Sequence, residues 1–329
     1  MRNMLKKVMS GMALTEDESF EMIRQMTLEE NAAAGGLLAA IAMRGEQISE
    51  LAGCVRYLRE NMIPVPVRGP CADIVGTGGD GGKTFNISTA AAFVAAGAGV
   101  RIAKHGNRAV SSSCGAADVM ESLGINLDKS PEQLEKSAEE HGFAFLFARK
   151  FHPVMAKVAH LRQTLGIRTI FNLAGPLANP AKAEYMVVGV YERKRIRPFA
   201  EVLRQSGVKR ALVVHSDDGM DEISSLAATH AVFLNEGTVG DFTVDPGRYL
   251  KDEEMRGSLA GGTVPENSRI LTDILSDRDH TARRGAVLLN AAALCMVYGI
   301  ASDMKEGIAL AGQSIRSGAA LSVLREAGR

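Results

Sequence analysis

Residues 72–89 read ADIVGTGGDGGKTFNIST, and five of the seven residues from Gly76 to Gly82 are glycine. The cluster lies between an apolar run and the predicted start of a helix. Glycine adopts positive φ and lets a ligand contact the main chain, at a cost in the entropy of the unfolded chain. Such a cluster indicates either a bound anion or a sharp turn, and phosphate is the anion that we expect.

Two common phosphate motifs fit this stretch only in part. A P-loop has the pattern G-x-x-x-x-G-K-[ST]; its GKT is present at residues 82–84, but its first glycine would fall on Thr77. The dinucleotide pattern G-x-G-x-x-G matches residues 76–81, but it requires an acidic residue about twenty positions later. No carboxylate occurs in residues 100–113. The sequence therefore predicts a phosphate site of another kind.

The charge balance and the cysteines exclude several classes of protein. The 329 residues contain 38 Lys and Arg and 38 Asp and Glu, so the net charge is zero. Proteins that bind nucleic acid usually carry a basic excess, and no nucleic-acid partner is predicted. The four cysteines form no C-x-x-C pair, which argues against a zinc site or a disulfide framework.

The chain carries no predicted export or membrane signal. Its N-terminus has basic residues but no apolar core of signal-peptide length. No stretch reaches about 18 uninterrupted apolar residues, the length that a membrane-spanning helix needs. We predict a cytoplasmic protein without a membrane segment.

The first 65 residues have the pattern of a small helical domain. Thr15-x-x-Glu18 and Thr27-x-x-Glu30 are capping-box signatures, and a third helix is predicted from Ser49. The segment IPVPVRGP then breaks helical structure. We predict a helical domain over residues 1–66, with a further helical segment near 153–185 packing on it, and an α/β domain over residues 70–329.

Short β-like runs alternate with helical runs after the boundary. Strands separated by helices imply a parallel sheet with helical layers. Ser130-Pro131-x-Gln133 is predicted to cap one of these helices, and HPVMAKVAHLRQTLG is predicted as another. Residues 229–250 are rich in β and turn residues, so the sheet is expected to end in antiparallel strands. The predicted fold class is α/β, with a small N-terminal helical domain and a larger domain whose mostly parallel central sheet is flanked by helices. The strand candidates are ADIVG, VRIAKHG, FAFLFA, YMVVGVY, RALVVHS and AVFLN.

The glycine cluster follows the first predicted strand of this sheet. Ligands of open α/β sheets bind outside the carboxyl ends of the strands, and successive N–H groups of a glycine loop can form an anion-binding nest. Asn86 is predicted to cap the next helix, whose N-terminus favours phosphate, and Ser88 and Thr89 add hydroxyls there. The alternative is that the glycines only make a tight turn.

Two further strand ends carry polar clusters. KHGNRAVSSSCG, residues 104–115, supplies positive charge from Lys104, His105 and Arg108. HSDDGMDEIS, residues 215–224, contains four carboxylates, which suit a hard cation such as Mg²⁺ when a polyphosphate is nearby.

Arg162 borders the apolar stripe of a predicted helix. Its side chain could reach water along that stripe, or it could bind a carboxylate with both arms of the guanidinium. The residues alone leave both alternatives open. FNLAGPLANPA, residues 171–181, is predicted to shape the rim of the site.

Taken together, these motifs resemble the anthranilate phosphoribosyltransferase family of tryptophan biosynthesis over nearly the full chain. The resemblance is carried by GTGGD at residues 76–80, NIST at 86–89, KHGNRAVSS at 104–112, LRQTLGIRTIFNLAGPLANP at 161–180 and the pair Asp221-Glu222.

The resemblance implies transfer of the phosphoribosyl group from phosphoribosyl pyrophosphate (PRPP) to the amine of anthranilate, with release of pyrophosphate. It further implies Mg²⁺ as cofactor, an active site at the hinge between the domains, and a homodimer formed through the helical domain. No obligatory general base is expected, and His105 is a candidate proton acceptor. The implied anthranilate residues are Gly76, Asn107 and Arg162, and the implied Mg²⁺ residues are Ser88, Asp221 and Glu222. The implied PRPP residues are Gly76, Gly79, Asp80, Thr84, Asn86, Ile87, Ser88, Thr89, Lys104, His105, Gly106, Asn107, Arg108, Ala109, Val110, Ser111, Ser112 and Ala116.

Two positions depart from the family pattern. Ser113 stands where relatives often carry a longer polar side chain, and Ala116 where many carry serine.

Two other functions are alternatives. A pyrimidine nucleoside phosphorylase of similar fold would use phosphate and a nucleoside, without the Asp221-Glu222 pair. A non-catalytic relative that binds nucleic acid is the second alternative.

Overall fold

The computed structural model describes residues 1–29, 31–79, 84–109 and 114–328. This part of the chain begins with four helices that precede the first strand, which confirms the predicted helical region and adds one helix to the three that the sequence indicates. These helices are α1 (Arg2–Met9), α2 (Glu16–Leu28), α3 (Ala32–Arg44) and α4 (Ile48–Glu60).

One of the two capping boxes predicted within residues 1–66 is confirmed. At the start of α2, the Glu18 N–H donates to Thr15 Oγ1 at 3.2 Å, and the Thr15 N–H donates to the Glu18 carboxylate at 2.8 Å. The second prediction is wrong, because Thr27 lies inside α2 and its hydroxyl donates to the Arg24 carbonyl. Asn31 caps α3 instead. Glu30 lies outside the described residues.

The described strands form one seven-stranded sheet in the order β3-β2-β1-β4-β5-β6-β7. The first five strands are parallel, and β6 and β7 are antiparallel, which confirms the predicted mostly parallel sheet with an antiparallel end. The strands are β1 (Ala72–Gly76), β2 (Ile102–Gly106), β3 (Phe143–Phe147), β4 (Tyr185–Gly189), β5 (Arg210–Ser216), β6 (Thr229–Asn235) and β7 (Thr238–Val244).

This strand order creates a crevice in the middle of the sheet. From β1 the chain continues to β2 and β3 on one side, and it then crosses to β4 on the other side. The loops after β1 and β4 therefore leave the sheet in opposite directions. Such a switch point is where open α/β sheets bind ligands, and the glycine loop leaves β1 at this position.

Two apolar cores cover the two faces of the sheet. Neighbouring residues of one strand alternate between them: Val187 belongs to the first core and Val188 to the second. The first core contains α5 and α14. The remaining helices of the α/β region are α5 (Ile87–Gly97), α6 (Ala116–Ser122), α7 (Pro131–His141), α12 (Ile196–Gln205), α13 (Val264–Leu275), α14 (Ala282–Tyr298), α15 (Met304–Arg316) and α16 (Ala319–Ala327).

The second core joins the other face of the sheet to α2, α3 and α4. Short helices that follow β3 also belong to it, and α9, α10 and α11 contact α2, α3 and α4. The division of the chain near residues 66–70 into two domains remains a prediction. The short helices are α8 (Ala148–Phe151), α9 (Pro153–Lys157), α10 (Ala159–Leu165) and α11 (Ile170–Ala174).

The predicted continuous helix over HPVMAKVAHLRQTLG is therefore wrong. Pro153 is suited only to the first turn of a helix, and Val158 separates α9 from α10 with φ −107° and ψ 8°. Val158 is fully buried, and Leu161 packs on Gly35 of α3. Packing against the N-terminal helices thus overrides the helical preference of the segment.

No helix within the described residues is both long and apolar enough to cross a membrane.

Candidate active site

Asp221 fills the switch point between β1 and β4. Gly76 and Gly189 end these strands side by side. A β-carbon at Gly76 would lie 2.9 Å from Asp221 Cγ, and the Asp221 main chain occupies the corresponding space at Gly189. The Gly78 N–H donates to Asp221 Oδ2 at 2.7 Å, and the Thr77 N–H donates to the Gly189 carbonyl at 3.0 Å. The two strand-end glycines are therefore required by the close approach of Asp221.

The neighbouring carboxylate, Glu222, meets the N-terminus of α5. The Ser88 N–H and hydroxyl both donate to Glu222 Oε1, at 2.9 and 2.6 Å. An acidic group is favourable at this position because the helix dipole and the unpaired N–H groups attract negative charge. Asp221 and Glu222 are 7% and 9% exposed. The structure thus brings Ser88 and Glu222 together, and it places Asp221 on the adjacent loop.

The other two carboxylates of this acidic segment have local partners. Asp217 pairs with His230 at 2.9 Å, and Asp218 accepts a hydrogen bond from the Ser224 hydroxyl at 2.6 Å. In the part of the chain that the structure describes, the glycine loop and α5 are contacted by the second pair, Asp221 and Glu222.

The donor set fits a hard cation that shares its ligands with a substrate. Two carboxylates and the Ser88 hydroxyl are oxygen ligands of the kind that Mg²⁺ prefers. Among the described residues, no three His, Cys, Asp or Glu side chains converge closely enough to hold a metal ion. Magnesium is usually bound by one or two carboxylates together with waters and substrate phosphates, so the set agrees with that mode.

The glycine loop adopts a conformation that favours glycine. Gly78 and Gly79 have φ of +60° and +97°, in the left-handed region. The guanidinium of Arg168 lies so close to Gly79 that a β-carbon there would be 2.5 Å from its Cζ. Sequence reasoning missed Arg168. Asp80, in the same loop, lies outside the described residues.

Asn86 connects three segments instead of capping α5 with its side chain. It occupies the N-cap position, but Nδ2 donates to the Cys114 carbonyl at 3.3 Å, and Oδ1 accepts from Asn267 Nδ2 at 3.0 Å. Asn267 in turn accepts from the Gly262 N–H at 2.8 Å. The predicted capping bond is therefore wrong, because two partners distant in sequence use the amide.

Two predicted PRPP residues next to Asn86 face the interior. Ile87 and Thr89 are 0% and 1% exposed, and the Ile87 N–H donates to the Phe85 carbonyl at 2.8 Å. Neither side chain is available to a ligand in this structure, because both lie on the buried face of the first turn of α5. Thr84 is partly exposed and forms a bridge with Ala260.

A buried polar network fixes the end of β2. The Lys104 ammonium donates to the Ile74 carbonyl at 2.6 Å, and the His105 N–H donates to Asp73 Oδ1 at 3.1 Å. Asp73 Oδ2 accepts from Asn179 at 2.7 Å. Burial raises the pKa of Asp73 to about 6 and lowers the pKa of Lys104. Lys104, which is 2% exposed, therefore lies beneath the strand ends.

His105 lies against a second histidine that sequence reasoning did not assign to the site. The ring centroids of His105 and His152 are 5.1 Å apart, and both side chains are buried. Burial lowers the pKa of His105 well below its ordinary value and the pKa of His152 to about 4. Both imidazoles are therefore neutral near pH 7. Within the described residues, Nε2 of His105 has no hydrogen-bond partner.

Asp118 organises the segment that follows β2. Its carboxylate accepts from the N–H groups of Ala109 and Gly115, at 3.0 and 2.9 Å. Arg108 donates to Asp118 at 3.0 Å and to Glu121 at 2.8 Å, and these bonds, chiefly the one to Glu121, raise its pKa. The guanidinium predicted to bind PRPP is thus engaged by two carboxylates. Sequence reasoning missed Asp118, because its acceptor role depends on main-chain groups of a loop.

The remaining predicted residues of this segment lie near the same strand end. Asn107 is exposed, and Ala116 begins α6 next to Gly106, where a β-carbon would lie 3.2 Å from that of Ala116. The predictions for residues 110–112, which are Val110, Ser111 and Ser112, fall outside the described residues.

Arg162 is partly buried on the side of the N-terminal helices. Its guanidinium lies 5.7 Å from the centroid of the Phe171 ring, and burial lowers its pKa. Among the described residues it forms no ion pair with a carboxylate. Both alternatives for its guanidinium remain predictions. A common pocket with Gly76 and Asn107 remains a prediction.

The chain matches known proteins over nearly its whole length. The helical bundle domain of a glycosyl transferase family matches residues 2–62, and the α/β domain of that family matches residues 68–321. The anthranilate phosphoribosyltransferase of Clostridium kluyveri is 43% identical over 325 residues, which cover 98% of this chain and 97% of the relative.

Solved structures agree with this match. Anthranilate phosphoribosyltransferase from Thermus thermophilus superimposes with a TM-score of 0.91 at 41% identity, covering 99% of this chain and 98% of that one. The Saccharomyces cerevisiae enzyme in complex with PRPP and Mg has a TM-score of 0.87 at 28% identity, covering 98% and 95%. Because both the sequence and the fold match from end to end, this chain belongs to the anthranilate phosphoribosyltransferase family.

Proposed function

We propose that the protein transfers the phosphoribosyl group of PRPP to the amine of anthranilate in tryptophan biosynthesis. The products are N-(5-phosphoribosyl)anthranilate and pyrophosphate. The observation that carries the proposal is the arrangement at the switch point, where Asp221 holds the glycine loop and Glu222 holds the start of α5. An anionic sugar phosphate that enters between these elements meets main-chain N–H groups and carboxylates able to share a cation. The yeast relative, which is in complex with PRPP and Mg, supports this reading.

In the reaction the bond between ribose C1 and pyrophosphate oxygen breaks, and a bond forms between C1 and the anthranilate nitrogen. Mg²⁺ held by Ser88, Asp221 and Glu222 would supply positive charge to the departing pyrophosphate. The glycine loop supplies preorganised N–H groups, which stabilise charge without reorganising at the moment of reaction. Placement of the amine against C1 supplies the remaining advantage.

The proton that the anthranilate nitrogen loses passes to His105 or to water. His105 is neutral near pH 7 because burial lowers its pKa. Its Nε2 is buried and has no hydrogen-bond partner among the described residues, so a base this weak and this enclosed is not obligatory. We assign it the role of proton acceptor and no covalent step.

Anthranilate is held by Arg162, Asn107 and Gly76 in this proposal. The guanidinium of Arg162 matches the planar carboxylate of the substrate. PRPP is held by the glycine loop, by Asn86 and Ser88 at the start of α5, and by the segment 106–112, while Lys104 and His105 lie buried beneath it at the end of β2. Mg²⁺ is the cofactor, and the compartment is the cytoplasm.

We further propose a homodimer formed through the helical domain. Eight large apolar side chains are exposed among the described residues, and five of them lie in the first 60 residues. Their concentration on one part of the chain suits a protein contact. The five are Met9, Met12, Leu28, Met43 and Ile48.

The activity is tested by mixing the purified protein with PRPP, Mg²⁺ and anthranilate and following anthranilate fluorescence. We expect a decrease that requires all three components. A parallel assay with phosphate and a pyrimidine nucleoside tests the phosphorylase alternative. If anthranilate fluorescence is unchanged while an active relative works in the same buffer, the proposed function is wrong.

Gly79→Ala should weaken PRPP binding about 5- to 30-fold. The left-handed conformation costs a residue with a β-carbon roughly 1–2 kcal/mol, and the new methyl group would also displace Arg168. Isothermal titration with PRPP measures the change. Gly240→Ala is the matched control, because Gly240 is exposed and its added β-carbon would meet no atom within 4 Å. Unchanged PRPP affinity in a folded Gly79→Ala protein would mean that the loop is only a turn.

A further inference from the structure

Arg168 holds the carbonyl side of the glycine loop. It lies in the connection between α10 and α11, and its Nη2 donates to the carbonyls of Thr77 and Gly78, each at 3.0 Å. The guanidinium also covers Gly79. Side-chain donors to two successive carbonyls fix the orientation of two successive peptide planes. A glycine-rich segment needs such a restraint, because its unfolded form has more conformational freedom than that of other residues.

The opposite side of the first of these peptide planes is held by Asp221. In a trans peptide the carbonyl and the N–H point in opposite directions, and all described peptide bonds are trans. The plane between Thr77 and Gly78 therefore has its carbonyl on Arg168 and its N–H on Asp221. The next plane also has its carbonyl on Arg168, so the Gly79 N–H points away from the guanidinium. Arg168 and Asp221 thus fix the loop from two sides.

Arg168 is itself supported by Tyr191, which follows β4. Its Cζ lies 4.4 Å from the centroid of the Tyr191 ring, within the range of a cation–π interaction. The Tyr191 N–H donates to Thr77 Oγ1 at 3.3 Å. The aromatic ring and the glycine loop are therefore joined both through Arg168 and through the main chain.

The same ring connects Arg168 to the N-terminal helices. Arg195 Cζ lies 5.0 Å from the Tyr191 centroid, and Arg195 pairs at 2.9 Å with Glu46, in the connection between α3 and α4. The side chains of Arg195 and Glu46 are 13% and 6% exposed, so this pair is only weakly screened by solvent. A continuous series of contacts thus runs from Glu46 through Arg195, Tyr191 and Arg168 to the glycine loop.

We propose that Arg168 is a positioning residue, which orders the glycine loop so that its N–H groups meet the pyrophosphate of PRPP. Tyr191 serves as its support, and the Arg195–Glu46 pair ties that support to the helical part of the chain. The inference rests on the proposed function for the identity of the anion. Its geometric basis, the two carbonyl contacts and the aromatic support, is independent of that function.

The test compares Arg168→Gln with Arg168→Lys. Removing the charge should raise the KM for PRPP about ten- to hundredfold, because a hydrogen bond from a charged donor is roughly twice as strong as a neutral one and two are affected. The KM for anthranilate, and kcat at saturating PRPP, should change less than about threefold. Arg168→Lys should recover part of the loss, since an ammonium can still donate to a carbonyl. Arg197→Gln is the control, because Arg197 pairs only with exposed Asp241 among its described contacts.

A second arm tests the support and separates this inference from the proposed function. Tyr191→Leu should raise the KM for PRPP, and its effect should not add to that of Arg168→Gln, because both act through one contact. Tyr191→Phe should behave as wild type. Calorimetric titration with inorganic pyrophosphate and Mg²⁺ gives the same comparison without turnover, so it remains informative if the wild-type protein proves inactive with anthranilate. Equal losses for both substrates, or an unchanged affinity for pyrophosphate and PRPP in Arg168→Gln, would overturn the proposal.

Discussion

The double variant Asp221→Asn, Glu222→Gln is expected to turn over PRPP and anthranilate about a hundred- to a thousandfold more slowly than the wild type. Loss of one group that stabilises developing charge typically costs this much in kcat. The amide replacements keep an oxygen that can accept the hydrogen bonds from Gly78 and Ser88. They remove the negative charge that would hold the cation. The fold should therefore survive, and the dependence on Mg²⁺ should weaken.

Steady-state rates over a series of Mg²⁺ concentrations, together with thermal unfolding, measure both parts of this expectation. Asp217→Asn is the matched control, because Asp217 lies in the same acidic segment but pairs with His230. If the double variant equals the wild type at limiting Mg²⁺, the assignment of these two carboxylates to the cation is wrong.

Arg162→Ala is expected to raise the KM for anthranilate about ten- to hundredfold and to leave the affinity for PRPP nearly unchanged. A hydrogen-bonded pair with a charged group contributes on the order of 1.5–3 kcal/mol. The guanidinium lies in partly buried surroundings beside the Phe171 ring, so a substrate carboxylate would meet it with little competition from water. Arg162→Lys should restore only part of the affinity, because an ammonium lacks the two-armed geometry.

Initial rates with one substrate varied at a time separate the two constants. Arg149→Ala is a suitable control, since Arg149 is an exposed arginine of the nearby helix α8. Equal weakening of PRPP and anthranilate would make Arg162 a structural residue, and the anthranilate pocket would then lie elsewhere.

The fold could be predicted from the sequence because its signals are local. Six of the seven described strands contain a short apolar run, whereas β7 is mostly polar and exposed, and the boxes at Thr15 and Ser130 are complete within four residues. Thr27 shows where such local reasoning fails. Its spacing to Glu30 is correct for a cap, but the helix continues past it, and its hydroxyl also contacts Tyr57 of α4 at 2.7 Å.

The positions of the site motifs could be predicted, but their partners could not. The bond between Gly78 and Asp221 joins residues 143 apart, and the bond between Asn86 and Asn267 joins residues 181 apart. Nothing in the local pattern around Asn86 distinguishes a helix cap from a tertiary contact. The same holds for Arg168, whose acceptors are main-chain carbonyls and therefore leave no trace in the residue types.

The second apolar core has a consequence for how this architecture can evolve. Residues of the N-terminal helices, of the short helices after β3 and of one face of the sheet share that core without interruption. An independent domain has a core of its own and can be exchanged between genes. Here an exchange of the first 62 residues would leave α11 and α12, which pack on α4, against unmatched side chains. A substitution on one side of this core must therefore be matched by substitutions on the other side, so the two parts evolve together.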